Sequence, residues 1–165
     1  MFLRSLAMLC LLVSAAEAAD RGDIGFLEGS SLPPDVWDAL TKGNAYALET
    51  RLNPFYLQGD FDGDGWRDSA VLVKERSSGK KGAALVFKGG KVRVIGAGKD
   101  IGDSTDNLDW MDAWYVEPKG KVQQGATDEA PPTLKGDALM VIKTESASGL
   151  IYWDGKRFRF YQQGD

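Results

Sequence analysis

Asp60-Phe61-Asp62-Gly63-Asp64-Gly65-Trp66-Arg67-Asp68 is followed, after Ser69, by the apolar run Ala70-Val71-Leu72-Val73. The four carboxylates occupy positions 1, 3, 5 and 9 of a short loop, with glycine at position 6. Hard cations such as calcium take six to eight oxygen ligands, so a loop that holds one must turn several carboxylates inward. Alternate spacing lets Asp60, Asp62 and Asp64 converge. Gly65 permits the sharp turn that brings in the Trp66 backbone carbonyl, and Asp68 closes the set directly or through water. Position 12, where an EF-hand carries a bidentate glutamate, is Val71, and a strand pattern follows where a helix would be needed. Aspartate and glycine are also ordinary turn residues. A turn needs one or two of them, however, and four acids at regular spacing repel one another unless a cation sits among them. The expected ligands are Asp60, Asp62, Asp64, Asp68 and the Trp66 carbonyl, and the expected ion is Ca2+.

The pattern Asp-Phe-Asp-Gly-Asp-Gly-x-x-Asp-x-Ala-Val resembles the calcium loop of FG-GAP and VCBS-type repeats. The resemblance covers one repeat, residues 55–96. It implies a loop linking two strands, with calcium held at the first, third, fifth and ninth positions and at the seventh carbonyl. These fall on Asp60, Asp62, Asp64, Asp68 and Trp66. The chain as a whole is similar to small bacterial exported proteins that end in Tyr-Trp-Asp-Gly-Lys and Gln-Gln-Gly-Asp, a likeness that implies no activity.

Residues 1–18 read as a secretory signal peptide: Arg4, then a nearly continuous apolar stretch from Leu6 to Val13, then Ala16-Glu17-Ala18 as a small-x-small cleavage site. The stretch is too short to span a bilayer. The sequence therefore predicts a periplasmic or secreted protein without a membrane anchor. About 146 residues follow, enough for one domain with its own core. They hold no histidine, and the only cysteine, Cys10, lies in the leader. Those absences exclude disulfides, cysteine nucleophiles and histidine-based triads from the mature chain. A formal charge of −4 argues against a nucleic-acid partner.

Residues 19–33 read as a flexible lead-in. Its Arg21-Gly22-Asp23 tripeptide is given no role. Pro33-Pro34-Asp35 opens a short helix with Val36, Trp37 and Leu40 on one face and Gly43 as its stop. Residues 45–52 fit helix or strand equally. Beyond them the punctuation is that of antiparallel β-meanders forming a sheet or sandwich. Strands are expected at 55–59, 70–74, 83–88, 91–95, 110–117, 138–143, 149–153 and 156–162, with hairpin turns at Gly89-Gly90 and Asp154-Gly155. In the last strand Phe158 and Phe160 face one way and Arg157, Arg159 and Tyr161 the other. The whole makes a single mainly β domain over 34–165. Leu57-Gln58-Gly59-Asp60 matches Leu134-Lys135-Gly136-Asp137, which suggests two weak repeats, about 55–96 and 134–163. The second lacks Phe61–Ser69, and 126–133 serves as the linker between the halves.

Three further groupings bear on function. Asp100, Asp103, Asp106, Asn107, Asp109 and Asp112 form a second acidic cluster without the alternate spacing, and read as a solvated loop rather than a second cation site. Trp110, Trp114, Tyr115, Tyr152 and Trp153 read as core rather than as a sugar platform. Ser148-Gly149-x-x-Tyr152, with Asp154-Gly155-Lys156, faintly resembles the carboxyl-terminal hairpin of periplasmic C-type lysozyme inhibitors. That resemblance implies, as an alternative, a periplasmic inhibitor or binding protein acting on a lysozyme-like enzyme or glycan. No nucleophile is paired with a base, since Ser77, Ser78, Lys80 and Lys81 fit a hairpin tip. The sequence reads as a non-enzyme with a protein or glycan partner.

Overall fold

A computed structural model describes residues 31–102 and 104–164. The leader and nearly all of the lead-in lie outside them, as does Asp103. Helix α1 spans Pro34–Thr41, with Pro34 in its first turn, where a missing N–H costs nothing, and Asp35 against the positive end of the helix. The chain leaves it through Lys42, Gly43 and Asn44, whose φ of 47° turns the backbone back.

The first sheet contains β1 (Tyr46–Leu48), β2 (Tyr56–Gly59), β3 (Asp68–Glu75), β4 (Lys81–Val86) and β5 (Val92–Gly96), all paired antiparallel. β1 and β2 share one edge of β3: β2 pairs with Asp68–Val71 and β1 with Val73–Glu75. Strand β3 is buried from Asp68 to Val73, on both faces, and accordingly reads as a continuous apolar run rather than an alternating one. Its outer face, with Val71 and Val86, is covered by Leu32 and Val36 of the helical segment. Its inner face carries Ala70, Leu72, Ala83, Leu85 and Ile95.

The second sheet is a meander of β6 (Ala113–Glu117), β7 (Ala138–Lys143), β8 (Ala147–Trp153) and β9 (Phe158–Gly164). Trp114, Leu139, Val141, Ile151 and Phe158 from this sheet join the inner residues of the first in one core. Two polar ties cross the junction. The Trp114 indole donates to the Pro54 carbonyl at 2.7 Å, and the Arg51 guanidinium donates to the Met111 and Leu108 carbonyls at 2.7 and 3.2 Å. Among the described residues the fold is mainly β, two antiparallel sheets with one short helix, as the sequence predicts.

The boundary between the halves differs from expectation. β6 pairs with β7, so the crossing between sheets falls at 97–112 and not at 126–133. The second unit has four strands, and residues 118–137 run between β6 and β7, where the first unit has the acidic loop between β2 and β3. That excursion concealed β6 from its partner and made the second repeat look three-stranded. It also covers the outer face of the second sheet, where Leu134 and Val122 pack with Ala138, Met140, Leu150 and Tyr161. Tyr161 faces away from Phe158 and Phe160, as the alternation predicts, and under this cover is 2% exposed. Its hydroxyl accepts the Gly125 N–H at 2.9 Å. Tyr161→Phe strands that amide and should lower unfolding free energy by about 1–2 kcal/mol in a urea titration. An unchanged midpoint would show that water replaces the hydroxyl.

The aromatic residues follow the core reading. Trp114 is buried, Trp110 and Trp153 pack against the shared core and Tyr152 against the second cluster, while Tyr115 is exposed.

Candidate metal centre

The acidic loop joins β2 to β3 and starts where their pairing ends, at Gly59 opposite Asp68. Gly63 and Gly65 take φ values of 78° and 88°, the left-handed region that L side chains avoid, and so fold residues 60–68 back on themselves. Phe61, 1% exposed, is sunk into the core and anchors the loop from beneath.

Each of the four aspartates spends one carboxylate oxygen on the loop's own backbone. Asp60 Oδ2 accepts the Gly65 N–H at 3.0 Å, and Asp62 Oδ1 the Asp64 N–H at 3.2 Å. Asp64 Oδ1 accepts the Trp66 N–H at 2.8 Å, and Asp68 Oδ2 the Phe61 N–H at 3.0 Å. The remaining oxygens are what a cation would take. Asp60, Asp62 and Asp68 each offer one ligand oxygen within 4.8 Å of the others. Asp60 Oδ1 and Asp68 Oδ1 are buried and accept no hydrogen bond from the described residues. A buried carboxylate oxygen without a donor is costly and rare, which is the mark of a site built for a positive ion. The residues present thus fit a metal ion. Asp64 lies on the same loop but outside the close triad, and Trp66 is tied to it through its amide.

The electrostatics agree with the geometry. Burial pushes the Asp68 carboxyl up to about 6, with Asp62, Asp64 and Asp60 adding to the rise and the Phe61 N–H opposing it. Asp62 is raised as well, by burial first and then by Asp64 and Asp60. Carboxylates whose charged forms are disfavoured by one another are those that gain most from a dication.

Sequence reasoning missed the neighbour that holds this loop. The Asp60 N–H donates to Asp137 Oδ2 at 2.9 Å, and the Asp137 N–H returns a bond to the Asp60 carbonyl at 2.7 Å. Asp137 Oδ1 accepts the Lys119 N–H at 3.0 Å. The two Gly-Asp pairs matched as repeat equivalents therefore meet face to face. The match was the available signal, but it spoke of ancestry rather than contact. Gly136 is the reason they can approach: a Cβ there would lie 2.6 Å from the Gly63 nitrogen and closer still to the Asp60 carbonyl oxygen.

The other candidates are dispersed. Asp106 pairs with Lys80, Asp109 with Lys81 at 2.7 Å, and Asp112 with Lys143 at 3.3 Å. Asp100 Oδ1 accepts from Gly102 and from the Thr105 amide and hydroxyl, which hold its carboxyl below the usual range. Each described acid of that segment answers a separate partner, and they do not converge. Ser148, Gly149 and Tyr152 lie within β8, flanked by β7 and β9, and so form no protruding loop.

No family model, curated protein or solved structure matches the chain. The likeness to FG-GAP and VCBS-type loops rests on the residues of the loop itself.

Proposed function

We propose that this is an exported calcium-binding β-domain protein, without catalytic activity, whose ion stabilises the Asp60–Asp68 loop and whose partner is a protein or a glycan. The observation that carries the reading is the pair of buried carboxylate oxygens, Asp60 Oδ1 and Asp68 Oδ1, that accept no hydrogen bond from the described residues. Calcium suits an irregular set of carboxylate and carbonyl oxygens. Magnesium demands a smaller octahedral shell and keeps its waters, so it is the weaker competitor. Export supports the same ion, since extracellular modules bind calcium at roughly 10⁻⁴ to 10⁻³ M and depend on the calcium levels outside a cell.

The test is thermal unfolding and calorimetry of the purified protein in chelator, calcium and magnesium. Calcium that binds only the native state stabilises it by about 2.7 kcal/mol at a hundredfold excess over the dissociation constant. For a domain of this size that is a rise of about 10 °C in Tm. Asp62→Ala should erase the rise. Asp106→Ala, whose carboxylate faces Lys80, should leave it intact. Superimposable melts in chelator and calcium, with no heat of binding, would reduce the loop to a turn. The same preparation should turn over no ester, peptide or glycan substrate, and turnover that vanishes with one acid would refute the non-enzyme reading.

A further inference from the structure

The first sheet ends at β5 and the second at β9, and these two edges open onto one cleft of about 800 Å³. Val94 and Ile101, both partly exposed, belong to its apolar lining, and Arg93, Lys99, Arg157 and Arg159 to its charged lining. Four cations in one concavity run against a chain whose formal charge is −4. Asp100 is the one acid of that lining among the described residues, and one of its oxygens is already taken up by Gly102 and Thr105.

Three of the four cations, Arg93, Lys99 and Arg157, enter no ion pair among the described residues. Arg159 is bound to Asp154 at 2.6 Å. Arg93 has its guanidinium carbon 4.9 Å from the centroid of the Trp153 ring. A guanidinium over a ring face can still offer the N–H fork that matches two oxygens of a carboxylate or phosphate. Like charges gathered in a cleft repel one another, and an anion in their midst relieves the repulsion. The volume is that of a small-molecule site, and apolar walls with a few convergent polar groups are the usual make-up of one.

We propose that the β5–β9 cleft binds a compact organic anion, its carboxylate or phosphate held by Arg93 and Arg157 and its carbon body resting on Val94 and Ile101. The site is independent of the metal loop and of the calcium reading.

The experiment is an amide chemical-shift titration of the whole protein at low ionic strength, where screening is weakest. The probes are phenyl phosphate, glucuronate and inorganic phosphate. Saturable shifts confined to β5 and β9 are expected with one of the organic anions, about tenfold tighter than with inorganic phosphate. Which of the two binds tells phosphate from carboxylate. Arg93→Gln/Arg157→Gln should weaken binding about tenfold or more, and Lys88→Gln, outside the cleft, should not. Because Arg93 packs on Trp153, the exposed Arg157→Gln alone serves if the double variant fails to fold, with a loss of about threefold. Three results overturn the proposal: no saturation by either organic anion up to about 10 mM, equal binding of inorganic phosphate, or variants that bind like wild type.

Discussion

Asp68→Asn protein should melt above wild type in chelator and gain nothing from calcium. Asp68 is 2% exposed, and its free oxygen and that of Asp60 both lack a donor. Its carboxyl is held up to about 6 in the folded protein against 3.8 ordinarily. The folded state therefore binds that proton more tightly than the unfolded chain does. In chelator, stability should fall as pH rises between about 4 and 6, and at pH 7 the deficit is on the order of 2–3 kcal/mol. An asparagine removes the charge, keeps an oxygen for the Phe61 N–H and can turn its NH2 toward Asp60 Oδ1. The variant's advantage in chelator should be several degrees at pH 7 and should shrink by pH 5, where wild-type Asp68 is largely protonated. Excess calcium should reverse the ranking. A variant less stable than wild type in chelator at pH 7, or one that still rises with calcium, would contradict the role given to these two oxygens.

Gly136→Ala should be a severely damaging methyl addition near the site, although residue 136 lies outside the loop. The new Cβ would meet backbone on two sides, the Asp60 carbonyl and Gly63, and backbone cannot swing away as a flexible side chain can. Residues 135–137 would have to back off, and the reciprocal Asp60–Asp137 bonds would stretch or break. We expect a loss of about 3 kcal/mol in unfolding free energy. Calcium affinity should fall about tenfold or more with it, because Asp60 moves although residue 136 contributes no ligand. Gly43→Ala is the control: nothing lies within 4 Å of its added carbon, and its effect should stay within about 0.5 kcal/mol. Calcium affinity that survives Gly136→Ala would mean that the loop holds its shape without the second sheet.

The strands and the loop were legible for local reasons. Strand β7 was read at Ala138–Lys143, where it lies, because a run of apolar residues sits between Gly136-Asp137 and a turn. Gly89-Gly90 and Asp154-Gly155 marked their hairpins because positive φ demands residues of that kind. The partner of β6 was hidden because a pairing across residues 118–137 leaves no short-range trace. The burial of Tyr161 was hidden for the same reason: alternation along β9 reports two faces, but not that a distant excursion covers the second. In the metal loop, spacing named the acids and could not say which oxygens would be left free. That depended on which backbone amides the fold turned toward them.

Trp66 adds an optical consequence. It is 56% exposed, with the Lys88 ammonium 2.8 Å from its ring centroid and its amide bonded to Asp64. Trp114 is buried, and Trp37, Trp110 and Trp153 pack against apolar clusters, so Trp66 alone among the five faces open water to this degree. Its emission is expected at the red end of the protein's fluorescence and should respond to quenchers more strongly than that of the other four. The loop thus carries its own reporter, through which its ordering can be followed in milliseconds without an attached dye.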